Sequence, residues 1–214
     1  WNPYINFGFP QYGDMSGGFW NPITWIIAST VGYNAYTLTL EVLFYILLGV
    51  IGMYKLTGIW RLDNRVREIA GVAFMCSGYI IGHLQHFNWI SGAAFLPWCL
   101  WGYLSLLKQF TKNNIVLTVL LFYFLVSSAH PGIIISAAYF FSGVLVFHII
   151  SNKENITLTK KVKKLFVTHA VLLLLFLLLC AGMIAVDLAI LPFFVSVEKI
   201  GLASSLGNPT SCKL

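Results

Sequence analysis

The side chains best suited to chemistry in this chain are Asp14, Glu41, His83, His86, His130, Asp187, Glu198 and Lys199. A carboxylate can take the proton of an attacking hydroxyl or help hold a divalent cation, and an imidazole or ammonium can face a phosphate. His83 and His86 are three residues apart at a helix end, about 60° around the axis, and present two imidazoles together to a phosphate, a sugar or a metal. Two histidines do not complete a zinc site, which takes four ligands, and no further ligand stands close in sequence. His130-Pro131-Gly132 reads as a tight connection with Pro131 in the first turn of the next helix, and His130 meets His83 and His86 if the helix pairs are adjacent. Glu41 is expected roughly 10 Å into an apolar helix, so it must reach a headgroup, a partner or a cavity. His148 and His169 lie toward the opposite, basic side and are expected to do nothing chemical.

The elements that must position these groups follow from composition. The 214 residues are 58% hydrophobic and 9% charged, and the mean hydropathy is +0.82. Soluble domains carry about a quarter charged residues, so the apolar surplus must face lipid. That excludes most soluble-enzyme readings, and the wealth of Leu, Ile, Phe and Val excludes disorder. The expected fold is all-α: a polytopic integral membrane protein of about six transmembrane helices. A span needs roughly 20 apolar residues, 17 where neighbours adapt. By that length the spans run approximately 35–54, 68–84, 89–107, 114–129, 132–150 and 165–187. Residues 1–34 read as an exoplasmic loop without Lys or Arg, whose Ile23–Val31 segment forms a short interfacial helix. Residues 188–214 read as a second exoplasmic loop. The chain opens on Trp1 with no signal-peptide pattern and closes in a loop at Leu214, so one transmembrane domain truncated at both ends is expected.

The net charge of +6 raises the question of a nucleic-acid partner, and its distribution answers it. Lys55, Arg61, Arg65, Arg67, Lys108, Lys112, Lys153, Lys160, Lys161, Lys163 and Lys164 fall on one side, and only Lys199 and Lys213 on the other. Basic residues accumulate on the cytoplasmic side, so the charge is a topology signal and no nucleic-acid partner is expected. The acids and histidines named above then gather at the exoplasmic face. Asp63, Glu68 and Glu154 are cytoplasmic and pair loosely with neighbouring bases. Asn155-Ile156-Thr157 matches a glycosylation acceptor but lies on the cytoplasmic side, so it is expected to stay unused.

Other features read as structure. Gly78 and Gly82, with Gly71 and Ser77, form a small-residue surface for close helix approach. Pro97 and Pro192 should kink or end their helices. Trp20, Trp25, Tyr33, Tyr36 and Trp89 suit an exoplasmic aromatic belt, with sugar stacking as the lesser reading. Cys76, Cys99 and Cys180 sit in apolar runs as small hydrophobes, and Cys212 is a lone thiol on the polar side.

Four stretches in order carry a family resemblance. Trp1-Asn2-Pro3 through Asp14, continuing into Gly17-Gly18-Phe19-Trp20-Asn21-Pro22, resembles the outer loop of YfhO-like bacterial membrane proteins. Ala70 to His83 with Asn88-Trp89-Ile90 and Leu96-Pro97-Trp98 is similar to that family's central signature. Ser128-Ala129-His130-Pro131-Gly132 resembles its later histidine turn, and Ala189-Ile190-Leu191-Pro192 the stretch beyond. The resemblance implies a C-type glycosyltransferase fold in the bacterial plasma (inner) membrane. Such proteins take a sugar from a polyprenyl-phosphate carrier and transfer it outside the cytoplasm, here to a cell-envelope glycan or polymer. Many use an acid of the first outer loop. Asp14, the sole acid in the loop present here, becomes the catalytic candidate, with Glu41, His83, His86, His130 and Lys199 as substrate-binding candidates and a divalent cation as a possible cofactor.

A transporter or flippase of a lipid-linked or small solute draws on the same outer residues. It calls for repeats or a polar path inward, and neither is visible: the inner halves of the spans are nearly uniform Leu, Ile, Val and Phe. A non-catalytic assembly subunit would need Glu41 and the outer histidines for folding alone.

Overall fold

The computed structural model describes residues 20–151 and, beyond them, isolated positions between 166 and 188. Every regular element among them is helical: α1 (Pro22–Thr30), α2 (Ala35–Thr57), α3 (Asn64–Met75), α4 (Gly78–Gly82), α5 (Phe87–Lys108), α6 (Lys112–Ser128) and α7 (Pro131–Ser151), with a 3₁₀ turn at Gly58–Trp60. Three helices are long and apolar enough to cross a membrane: Ala35–Trp60, Phe87–Lys108 and Pro131–His148. At 1.5 Å per residue each is about 30 Å long or more, the thickness of a bilayer's hydrocarbon core. α6, with 17 residues, is apolar but shorter. Residues 1–19 of the expected loop 1–34, residues 189–214 of the expected loop 188–214, most of the expected span 165–187, and Asp14, Asp187, Glu198, Lys199, Pro192, Asn155 and Cys212 lie outside the described residues.

Helix starts follow local chemistry. Asn34 and Thr37 form a capping box: Asn34 Oδ1 accepts from the backbone N–H of Tyr36 and Thr37, and Thr37 Oγ1 accepts from Asn34 N–H at 2.8 Å. Asn21 caps α1 through Ile23 N–H, and Pro22 stands in the first turn, where its missing N–H costs nothing.

α5 is the central helix, with α2 on one side and α6 on the other. Trp98 Nε1 donates to Leu48 O at 2.8 Å, tying the middles of α5 and α2. Ser91 Oγ donates to Ser128 O at 2.8 Å and Cys99 Sγ to Leu121 O at 3.3 Å, so α6 runs antiparallel to α5. The core is Tyr45, Met75, Ile80, Ile90, Ala94, Phe95, Cys99 and Leu125 with their neighbours. α3 folds back on α2 by close backbone approach. A Cβ on Gly71 would stand 2.7 Å from Val50 O, so only glycine fits there. Arg67 closes the hairpin, with its Nε donating to Tyr54 O at 3.1 Å and its guanidinium 3.7 Å over the Tyr54 ring.

Three sequence expectations change. The expected span 68–84 is two helices, because the chain breaks at Cys76 and Ser77, where Ser77 turns extended (φ −66°, ψ 154°) without capping the next helix. Among the described residues Gly78 and Gly82 do not act as packing glycines: a Cβ on either would meet no described atom within 4 Å. Pro97 does not end its helix, which continues to Lys108 with Pro97 buried inside.

The alternation of the helices gives the bundle two unlike ends. The starts of α2, α5 and α7 and the ends of α4 and α6 lie at one, with His83, His86 and His130. Lys55, Arg61, Arg65, Arg67, Lys108 and Lys112 lie at the other.

Candidate functional site

Two groups of polar side chains stand at the histidine end, and no hydrogen bond or ring contact joins their ionisable members. The first surrounds Glu41. Its side chain is 2% exposed, and both carboxylate oxygens accept from hydroxyls: Tyr33 OH to Oε2 at 2.7 Å and Thr24 Oγ1 to Oε1 at 3.3 Å. Below it, Asn21 Nδ2 donates to Tyr45 OH at 2.6 Å with both residues fully buried. These bonds clasp α1 onto α2. Gly32, at φ +74°, makes the reversal between the two helices that returns Tyr33 to Glu41. Burial, and then the hydrogen bond to the Glu41 carboxylate, push the Tyr33 phenol up to about 12.

The second group is built around Trp89, in the first turn of α5. Its indole lies between two imidazoles: His83 stacks at 4.6 Å between ring centroids with planes 14° apart, and His130 at 4.8 Å and 25°. Tyr79 leans on His83 at 4.6 Å and on Trp89 at 5.9 Å. His86 stands 6.2 Å from His83, its Nε2 3.3 Å from the Gln85 side-chain amide. The expectation that His130 meets His83 and His86 thus takes a specific form, in which they meet across an indole. Among the described residues no group of three His, Cys, Asp or Glu side chains is arranged to hold a metal ion.

The hydrogen bonds fix the tautomers of the neutral rings. His83 Nδ1 lies 2.7 Å from Tyr79 O, which only accepts, so Nδ1 carries the proton and Nε2 keeps a lone pair. His130 Nδ1 accepts from Gly132 N–H at 3.1 Å, so its proton is on Nε2. His130 is also the N-cap of α7, its carbonyl accepting from Ile134 N–H, and its own N–H donates to Asn88 O at 3.3 Å. The N-termini of α5 and α7 are therefore held side by side at this rim.

Beneath the rim opens a groove of about 730 Å³. Trp89, Tyr79 and Gly132 stand at its upper end, Ser136, Ala93 and Phe140 along its walls, and Met53, Leu56 and Leu100 at its lower end. From Trp89 to Leu100 along α5 is about 16 Å, the depth of one leaflet's hydrocarbon. The groove exists because α3 stops early: α4 supplies Tyr79 and Ile80 as its upper wall and leaves a gap toward α7.

Of the sequence-derived candidates, His83, His86 and His130 come together, Glu41 stands apart in the clasp, and Asp14 and Lys199 lie outside the described residues. Sequence reasoning assigned Trp89 to a generic aromatic belt and did not single out Ser136 or Tyr79. His169, expected to be inert, has its Nε2 2.7 Å from Tyr103 OH in the opposite half of the bundle.

Searches against known protein families, characterised proteins and solved structures find nothing that matches this chain.

Proposed function

We propose that this chain is part of a membrane glycosyltransferase that takes a sugar from a polyprenyl-phosphate carrier and passes it to a cell-envelope acceptor at the exoplasmic face. The observation that carries this reading is the apolar groove one leaflet deep, with Trp89 and Tyr79 at its head and the imidazoles of His83 and His130 stacked on that indole. An isoprenoid tail suits its Leu, Phe, Ala and Pro lining, and the polar head then falls among His83, His86 and His130. In the transfer, an acceptor hydroxyl attacks the anomeric carbon, its proton passes to a carboxylate, and the carbon–oxygen bond to phosphate breaks with its electron pair on the leaving phosphate. Asp14 is the carboxylate assigned to the proton. The histidine rim is assigned to the phosphate, together with Lys199.

Ser136 gives the test, because it lines the groove yet is exposed, so a large side chain there fills the groove without disturbing the core. In vesicles holding a photoreactive polyprenyl phosphate, Ser136→Phe should lower capture of the lipid at least tenfold. Ile135→Phe, one residue away and 58% exposed, should leave capture unchanged. Equal capture by both variants would overturn the reading.

A further inference from the structure

The rim is polarised, and the polarity assigns its ligand atoms. We infer that His130 Nε2–H is the phosphate contact of the site, supported by the N-terminus of α7, while His83 Nε2 is an acceptor for a hydroxyl of the same ligand. This rests on the carrier reading and deepens it. A phosphate ester offers only oxygens that accept, so it needs donors; a sugar hydroxyl can give its proton to a lone pair. His130 is the only one of the two stacked imidazoles whose neutral form turns an N–H away from the backbone, because Gly132 N–H occupies its Nδ1. His83 has the opposite arrangement, fixed by Tyr79 O. The indole of Trp89 keeps the donor and the acceptor apart, so the two cannot neutralise each other by a direct bond.

The backbone adds to the same sign. His130 caps a 21-residue helix, and its N–H is bonded to Asn88 O in the first turn of α5, a 22-residue helix. Two helix N-termini, each carrying a partial positive charge, therefore meet at His130. The described Lys and Arg side chains are all at the other end of the bundle, so among the described residues the positive potential for an anion here comes from N–H groups.

Two substitutions at one position separate the contact from the cap. An asparagine oxygen can replace Nδ1 toward Gly132 N–H, and a glutamine amide can replace the Nε2 donor. With polyprenyl phosphate in vesicles, His130→Asn should fold as stably as the parent and bind at least tenfold more weakly. His130→Gln should melt lower and bind within about threefold of the parent. A purely structural His130 would give the same melting order but the reverse order of binding, with Asn binding like the parent and Gln impaired, and that would overturn the inference. Nitrogen-15 shifts of the imidazoles give a second check: Nδ1 unprotonated in His130 and protonated in His83 is expected, and the opposite pattern contradicts it. Vesicles with phosphatidic acid and solutions of inorganic phosphate complete the experiment. If phosphatidic acid binds equally well with the same His130 dependence, the phosphate contact stands and the carrier reading falls. If inorganic phosphate alone competes fully, the groove contributes nothing and the carrier reading falls likewise. If the parent binds none of the three, the inference falls with it.

Discussion

The Glu41 clasp and the Trp89 rim stand at the same end of the bundle and answer the same demand in opposite ways. Both place ionisable groups where hydrocarbon would penalise them. Glu41 is wrapped until 2% of it remains exposed, and its carboxylate oxygens are used up by Tyr33 and Thr24. The imidazoles of His83 and His130 are only half buried; each spends one nitrogen on the backbone and has the other left over, and both stack on the Trp89 indole that lines the groove. A polar group whose bonds are all internal holds elements together, and one whose bonds are half made is equipped to take a ligand. An ionisable residue in an apolar span is therefore not by itself evidence of a site, since its hydrogen-bond accounting decides.

Substitutions in the clasp should move stability, and those in the rim should move binding. The largest effect is expected for Glu41→Ala, which removes a buried side chain and the shared acceptor of the Tyr33 and Thr24 hydroxyls and should cost about 3 kcal/mol in thermal or denaturant unfolding. Lipid capture by the folded fraction should be unchanged; a parallel loss of capture would merge the two regions. Gly71→Ala comes next, at about 2 kcal/mol, because the added methyl meets Val50 O and backbone cannot step aside. Gly78→Ala sharpens that contrast: with open space around it the same change should be neutral or stabilise by up to about 1 kcal/mol. The smallest effect is a pH dependence. The Tyr33 phenol titrates near 12 in the folded chain against about 10 unfolded, so its neutral form contributes stability that is complete below pH 10 and is lost as pH rises through 12. Tyr33→Phe should remove that part of the alkaline unfolding profile, and an unaltered profile would contradict the bond to Glu41.

The helices α2, α5, α6 and α7 were legible in the sequence because long apolar runs bounded by Asn34, Lys108, Lys112 and His130-Pro131 leave little choice of ends. The meeting of His83, His86 and His130 was legible too, since the run after His86 and the antiparallel run before His130 return the chain to the same end. The break after Met75 was not. Residues 68–84 hold no proline, and hydropathy is blind to a backbone that leaves the helix at Cys76–Ser77 for tertiary reasons. Glycine spacing failed for a related reason: Gly71 faces Val50 while Gly78 and Gly82 lie beyond the break, where the helix phase has been reset. Trp89 was read as one member of an aromatic belt because an interfacial tryptophan has an ordinary explanation, and only coordinates show two imidazoles stacked on its indole. Of the partners of Glu41, Thr24 lies across the turn at Gly32 and Tyr33 in the link that follows it, contacts no helical periodicity encodes.

On the proposed function, the groove between α4, α5 and α7 holds the tail of a phosphorylated isoprenoid with its head at the histidine rim. A polyprenyl phosphate carrying a diazirine on its first isoprene unit, photolysed in vesicles and mapped by peptide, tests this most directly. Labels should concentrate on Tyr79, Trp89, Gly132 and Ser136 and disappear with excess unlabelled polyprenyl phosphate. Labels spread instead over outward positions of α2 such as Leu40 and Leu47, undiminished by competitor, would contradict it.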